Sequence, residues 1–181
     1  MIKIRRATIS RLRDRLKETG SRPSLVVTSS DGVLARAGLL PPAEAAAVQS
    51  VEPVVEMMFL MMAADGNIGD EERVVIRGAV RELSDGFIRS ATLEQMLAAY
   101  EQNLQRDGQD ARMQHVIDML QDDRAGAESA FVLAAAVAFA DEEIQDAENE
   151  LLDAFAERSG IPEERANQLL DELEADWKTN E

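Results

Sequence analysis

Val54-Val55-Glu56-Met57-Met58-Phe59-Leu60-Met61-Met62-Ala63-Ala64-Asp65-Gly66-Asn67-Ile68-Gly69-Asp70-Glu71-Glu72 is the stretch on which the reading of the whole chain turns. Its first half is apolar nearly all round, the mark of a helix buried on every side rather than along one face. Its second half switches abruptly to acidic, and an amphipathic helical pattern leaves it. The same design returns later. Ala64-Asp65-x-x-Ile68-x-Asp70-x-Glu72 recurs as Ala140-Asp141-x-x-Ile144-x-Asp146-x-Glu148, with every matching position 76 residues on (65 to 141, 72 to 148). An apolar run, Ala130 to Ala140, leads into the second copy as the methionine-rich run leads into the first.

Working outward from these two units, the spacing predicts a long helix over 43–64, in which Pro53 is expected to make a break or kink. A helix over 70–83 follows, ended by Ser84-Asp85-Gly86. Thr92 with Gln95 three residues on reads as a capping box opening a helix to about residue 105. Asp107-Gly108 is a turn, and 110–121 is again helical. Gly126 separates this from the second apolar helix, 127–140. The last two helices are 146–159, stopped by Gly160, and 162–177, with Pro162 in its first turn. Nowhere is there sustained period-two alternation. The fold expectation is an all-α, single-domain bundle of about seven helices with an internal pseudo-two-fold helix-loop-helix repeat, the 92–121 helices being inserted between its two units.

Three segments are expected. Residues 1–22 are basic, with Ile2, Ile9, Leu12 and Leu16 at helical spacing over 2–18. Residues 23–42 have the composition of a linker, and the helical domain occupies 43–178. The head holds eight Lys or Arg against Asp14 and Glu18, a surplus of six positive charges, so a total of −16 leaves −22 on the rest. Such a body repels nucleic-acid phosphates and anionic lipid, and it attracts cations and basic partners. No nucleic acid is expected on it. A protein partner of basic character is the natural ligand, and only residues 2–18 suit peripheral contact with a membrane surface. Cysteine is absent, which removes disulfides, thiolate metal sites and cysteine nucleophiles. The charged opening is not followed by an apolar core of signal-peptide length, and the longest apolar run is that of a buried helix. The expected location is cytoplasmic, at most peripheral to the inner membrane surface.

The duplicated motif is where chemistry is expected. Asp65 and Asp141 fall at the C-termini of the two apolar helices, where the macrodipole is negative and a carboxylate is mildly disfavoured. Asp70 and Asp146 stand where an N-cap belongs, and Glu72 and Glu148 fall in the first turns that follow, able to point back at their loops. Ile68 and Ile144 would anchor each loop in the core. If the two apolar helices pack side by side, Asp65, Glu72, Asp141 and Glu148 form an all-oxygen set of the kind that suits Ca²⁺, Mg²⁺ or Mn²⁺ rather than copper or structural zinc. Against this stands the plainer reading of ordinary caps, dipole-complementing surface glutamates and Asx-turns. The motif is not an EF-hand, since Asp70 takes the place of its sixth-position glycine and Ile76 that of its twelfth-position glutamate.

Met62-Ala63-Ala64-Asp65-Gly66-Asn67-Ile68-x-x-Glu71-Glu72 resembles the signature of the TerB-like family, the tellurite-resistance protein B group. Ala138-Phe139-Ala140-Asp141-x-x-Ile144-x-x-x-Glu148 resembles the family's second, degenerate copy, with Glu142 where the first copy has Gly66. Ser159-Gly160-Ile161-Pro162 before a final helix also fits, so the resemblance spans about 45–175. It implies an all-helical fold with internal pseudo-symmetry, a metal held by Asp65, Glu72, Asp141 and Glu148, and a role in stress-linked assemblies near the membrane. Direct chemistry on tellurite, an oxyanion, does not follow, because an acidic body without cysteine offers nothing to bind or reduce it.

The expected function is therefore a non-enzymatic, TerB-like interaction module that binds a divalent cation in a bacterial stress response. Two other classes stand beside it: a carboxylate-based metal-dependent hydrolase, and a metal-free acidic adaptor that docks a basic partner. His115, the sole histidine, has no Glu three residues before it and reads as structural or exposed. Met57, Met58, Met61 and Met62 read as core. Tyr100 and Trp177 look isolated, with Trp177 expected to clamp the last helix.

Overall fold

The computed structural model describes residues 40–66, 69–141 and 145–178. The basic segment 2–18, nearly all of the linker and the two loop isoleucines, Ile68 and Ile144, lie outside the described residues, as do the side chains of Asp141 and Trp177. The described chain is all-helical, with seven α-helices and no strand among the described residues: α1 Pro42–Met62, α2 Asp70–Leu83, α3 Ser90–Asp107, α4 Gln109–Leu120, α5 Arg124–Ala138, α6 Asp146–Arg158 and α7 Glu163–Lys178. A 3₁₀ turn, Phe139–Asp141, continues α5.

Local chemistry sets most of the boundaries. Pro42 opens α1, where its missing N–H and fixed φ are harmless. Of the break or kink expected at Pro53, there is no break: α1 runs through it for 21 residues. A mid-helix proline is worth about 3 kcal/mol against a helix. A segment whose residues 51–62 are all buried among neighbouring helices gains several times that from burial, at roughly 1.5–3 kcal/mol per large apolar side chain. Gly108 makes the corner between α3 and α4 at φ +82°, a left-handed conformation that a side chain disfavours. Asp123 starts α5 three residues earlier than the sequence spacing suggested, because its Oδ1 accepts the Gly126 N–H at 2.8 Å.

α1 and α5 form the centre. Their mutual contact is the most extensive in the molecule, and α2, α3, α4 and α6 also pack on α1, while α2, α4, α6 and α7 pack on α5. Met57, Met58, Met61 and Met62 are wholly buried on α1, and the buried residues of α5 include Ala130, Ala134, Ala135, Ala136 and Ala138. Small side chains on α5 let the backbones approach, and the flexible thioethers fill what is left. By length and composition α1 is apolar enough to cross a membrane, but other helices bury most of it and it carries Glu44, Glu52 and Glu56.

Candidate functional site

Each central helix runs into a short turn where its acidic segment begins. After Met62, Ala64 N–H donates to the Met61 carbonyl and Gly66 N–H to the Ala63 carbonyl, which carries Asp65 out onto an exposed turn. After Ala138, the 3₁₀ turn ends on Asp141 and packs against both α5 and α2. The helix that leaves the first loop thus touches the turn that begins the second.

Glu72 and Glu148 share one hydrogen-bonding pattern. Each is buried in the first turn of its helix, and each Oε2 accepts, at 2.7 Å, the backbone N–H three residues back: Gly69 for Glu72 and Gln145 for Glu148. A carboxylate folded back onto the helix N-terminus satisfies a donor that has no intrahelical acceptor and lies at the positive end of the dipole. The reading of these two as surface glutamates is therefore corrected. Asp70 and Asp146 are corrected by one position. They are the first helical residues, Gly69 and Gln145 occupy the N-cap, and the capping carboxylates belong to the glutamates.

Two further charge clusters were not anticipated. In the first, buried Glu44 of α1 receives the Arg89 guanidinium at 2.7 Å, the Arg89 backbone N–H at 3.0 Å and the Thr92 hydroxyl at 2.6 Å. The hydrogen bond from Arg89 is the main force holding the Glu44 carboxyl down at about 2. Thr92 does not open α3 as a capping box. The helix begins at Ser90, and the threonine hydroxyl is spent on Glu44.

The second cluster lies where α3 and α4 meet α1. Glu56 is 2% exposed and its Oε1 accepts from Arg112 Nη2 at 2.6 Å and Nε at 2.8 Å, while Arg112 Nη1 reaches Asp107 Oδ2 at 3.3 Å. One turn earlier stands Glu52, 9% exposed, whose carboxyl accepts no hydrogen bond among the described residues. Burial pushes it up to about 7, with the Glu56 charge adding to the effect and Arg112 opposing it. Burial likewise raises Glu56 against the pull of Arg112. Tyr100 is far from isolated: it is buried beside Phe59, ring centroids 5.8 Å apart, and its hydroxyl donates to the Glu52 carbonyl oxygen at 3.4 Å. Burial drives its pKa well above the usual tyrosine range. His115 is half-buried on α4, its pKa lowered by burial and then by Arg112. The signal for this cluster was present in the sequence: Glu52 and Glu56 interrupt an otherwise apolar helix, and buried charges require partners.

Of the four residues expected to hold a metal, Glu72 and Glu148 are matched in burial and hydrogen bonding, Asp65 is exposed beside them in sequence, and Asp141 ends the turn that rests on α2. Among the described residues no three His, Asp or Glu side chains gather in an arrangement that holds a metal ion. No family model, no curated protein and no solved structure matches the chain.

Proposed function

We propose that this protein is a non-enzymatic helical binding module of the TerB-like kind, built on an internal helix-loop-helix repeat, whose two acidic loops take up one or more divalent cations. The observation that carries the reading is the matched pair of buried glutamates, each tying its loop to the next helix by the same 2.7 Å bond. Two loops held the same way present carboxylates from fixed ends. The donor chemistry fits a hard cation: Asp65, Glu72, Asp141 and Glu148 offer oxygen only, as Ca²⁺, Mg²⁺ and Mn²⁺ prefer. Such an ion would supply cross-linking charge between the loops and an acidic surface whose docking of a basic protein partner depends on its presence. A role in a tellurite-type stress response belongs to the same reading.

The test is thermal unfolding with and without Ca²⁺, Mg²⁺ and Mn²⁺. A bound ion at a hundred times its Kd adds about 2.7 kcal/mol, a rise of several degrees in Tm. Asp65→Asn combined with Asp141→Asn should abolish that rise. Each variant's rise is measured against its own metal-free Tm, which separates loss of the ion from any change in the metal-free baseline. Absence of a rise with all three ions removes the cation from the proposal.

A further inference from the structure

The buried carboxyl of Glu52 has no part in the acidic loops, and its surroundings suit a different task. It lies on the face of α1 that meets α3 and α4, accepts no hydrogen bond among the described residues, and stands one helical turn from a glutamate that already occupies the nearest guanidinium. The groups around it are few. On α1 there is Glu56. From α3 come Tyr100, whose hydroxyl is directed at the Glu52 carbonyl oxygen rather than at its side chain, and Asp107, engaged by Arg106 and Arg112. From α4 come Arg112, committed to Glu56 and Asp107, and half-buried His115. α5 meets α1 with an uncharged run from Ala130 to Ala138, and the buried charges of α2 and α6, Glu72 and Glu148, fold back on their own helix N-termini.

We propose that Glu52 makes the seating of α1 on α3 and α4 responsive to pH: its buried carboxyl, with the nearest guanidinium already committed to Glu56 and Asp107, is held neutral in the packed bundle, and its ionisation loosens that contact. The physics is a competition for one cation. Arg112 has two carboxylates within reach already, so a charge on Glu52 gains little attraction, adds repulsion against Glu56 and loses its hydration. A neutral carboxyl avoids all three. Burial sets the transition at about 7, against 4.5 for an ordinary glutamate. The sign follows from a pKa that is raised on folding. The stabilisation is complete below about 4.5, declines across the interval, and is gone once the pH has risen through about 7.

The experiment has two arms on the full chain. In the first, the side-chain carboxyl carbon of Glu52 is titrated by ¹³C NMR in the wild-type protein, and a midpoint near 7 is expected. A midpoint in the ordinary glutamate range overturns the proposal, and this arm needs no variant to fold. In the second, urea unfolding is followed from pH 5 to pH 8 for the wild type and for Glu52→Gln, which keeps the shape of the neutral acid. Relative to the variant, the wild-type folding equilibrium constant should fall on the order of 100-fold across that range, as expected for a pKa lifted from 4.5 to about 7. Parallel profiles for the two proteins overturn the proposal as surely as a normal midpoint.

Discussion

Replacing Arg112 by methionine isolates what a partly buried guanidinium contributes to this bundle. The arginine is 11% exposed and Glu56 is 2% exposed, so the variant strands a carboxylate where water barely reaches it. Breaking a buried pair from one side typically destabilises by about 3–5 kcal/mol. Glu56 has a cheaper route, which is to take up a proton, at about 1.4 kcal/mol for each pH unit above its unfolded value of 4.5. That caps the loss at roughly 3 kcal/mol at pH 7 and below roughly 1 kcal/mol at pH 5. Burial already outweighs Arg112 in the native protein, so part of this cost is present before the change. The loss at pH 7 therefore stays below that cap, and at a urea dependence of about 2 kcal/mol per molar the midpoint falls by no more than about 1.5 M. The double variant Glu56→Gln with Arg112→Met should recover most of it, because neither partner is then charged. Equal losses at pH 5 and pH 7, or a double variant no better than Arg112→Met alone, would refute the argument that an uncompensated charge is what the arginine prevents.

The other expectations are smaller. Gly78 sits exposed in the middle of α2 with open space where a Cβ would go, so Gly78→Ala should stabilise by about 0.5–1 kcal/mol in the same urea assay. Gly126→Ala should do the opposite and cost about 1–2 kcal/mol, because its Cβ would meet the Asp123 carboxyl and come within 2.9 Å of Leu120 Cδ2, displacing the cap of α5. Glu44 governs the acid side. Its pKa is depressed to about 2, so the stability it contributes is present above 4.5 and is lost as the pH falls toward 2. Glu44→Gln should flatten acid unfolding in that window, by a modest amount because Arg89 is largely solvent-exposed and its charge is screened.

How much of this was legible in the chain depends on how far apart the interacting residues lie. Helix ends could be read because their determinants are local: Ser84-Asp85-Gly86, Gly108 and Gly160 act within a few residues of the boundaries they set. The apolar character of 54–62 and 130–138 announced the central pair for the same reason. Pro53 does not end its helix because its local penalty is overridden by burial, which is a property of the assembled bundle. Thr92 misled because a hydroxyl three residues from a glutamine has the form of a cap, while its true acceptor, Glu44, is 48 residues away. Arg112 and Glu56 are 56 residues apart, and nothing local distinguishes that arginine from its exposed neighbours. For the candidate site, the glutamates could be placed on first turns from spacing alone. Their burial, and the contact of the Phe139–Asp141 turn with α2, required the packed chain.

The seam between α1 and α5 gives the two halves of the core different freedom to change in sequence. On the α5 side, the buried alanines Ala130, Ala134 and Ala138 recur every four residues along one face, and a larger residue at any of them meets neighbours already packed against it. On the α1 side, the methionines conform to whatever space the alanines leave, and leucine or isoleucine can take their place at modest expense. Substitutions should therefore accumulate on one wall of the seam while the other stays fixed. Related chains that have drifted beyond easy comparison would still be expected to keep the alanine ridge after the methionines have been replaced.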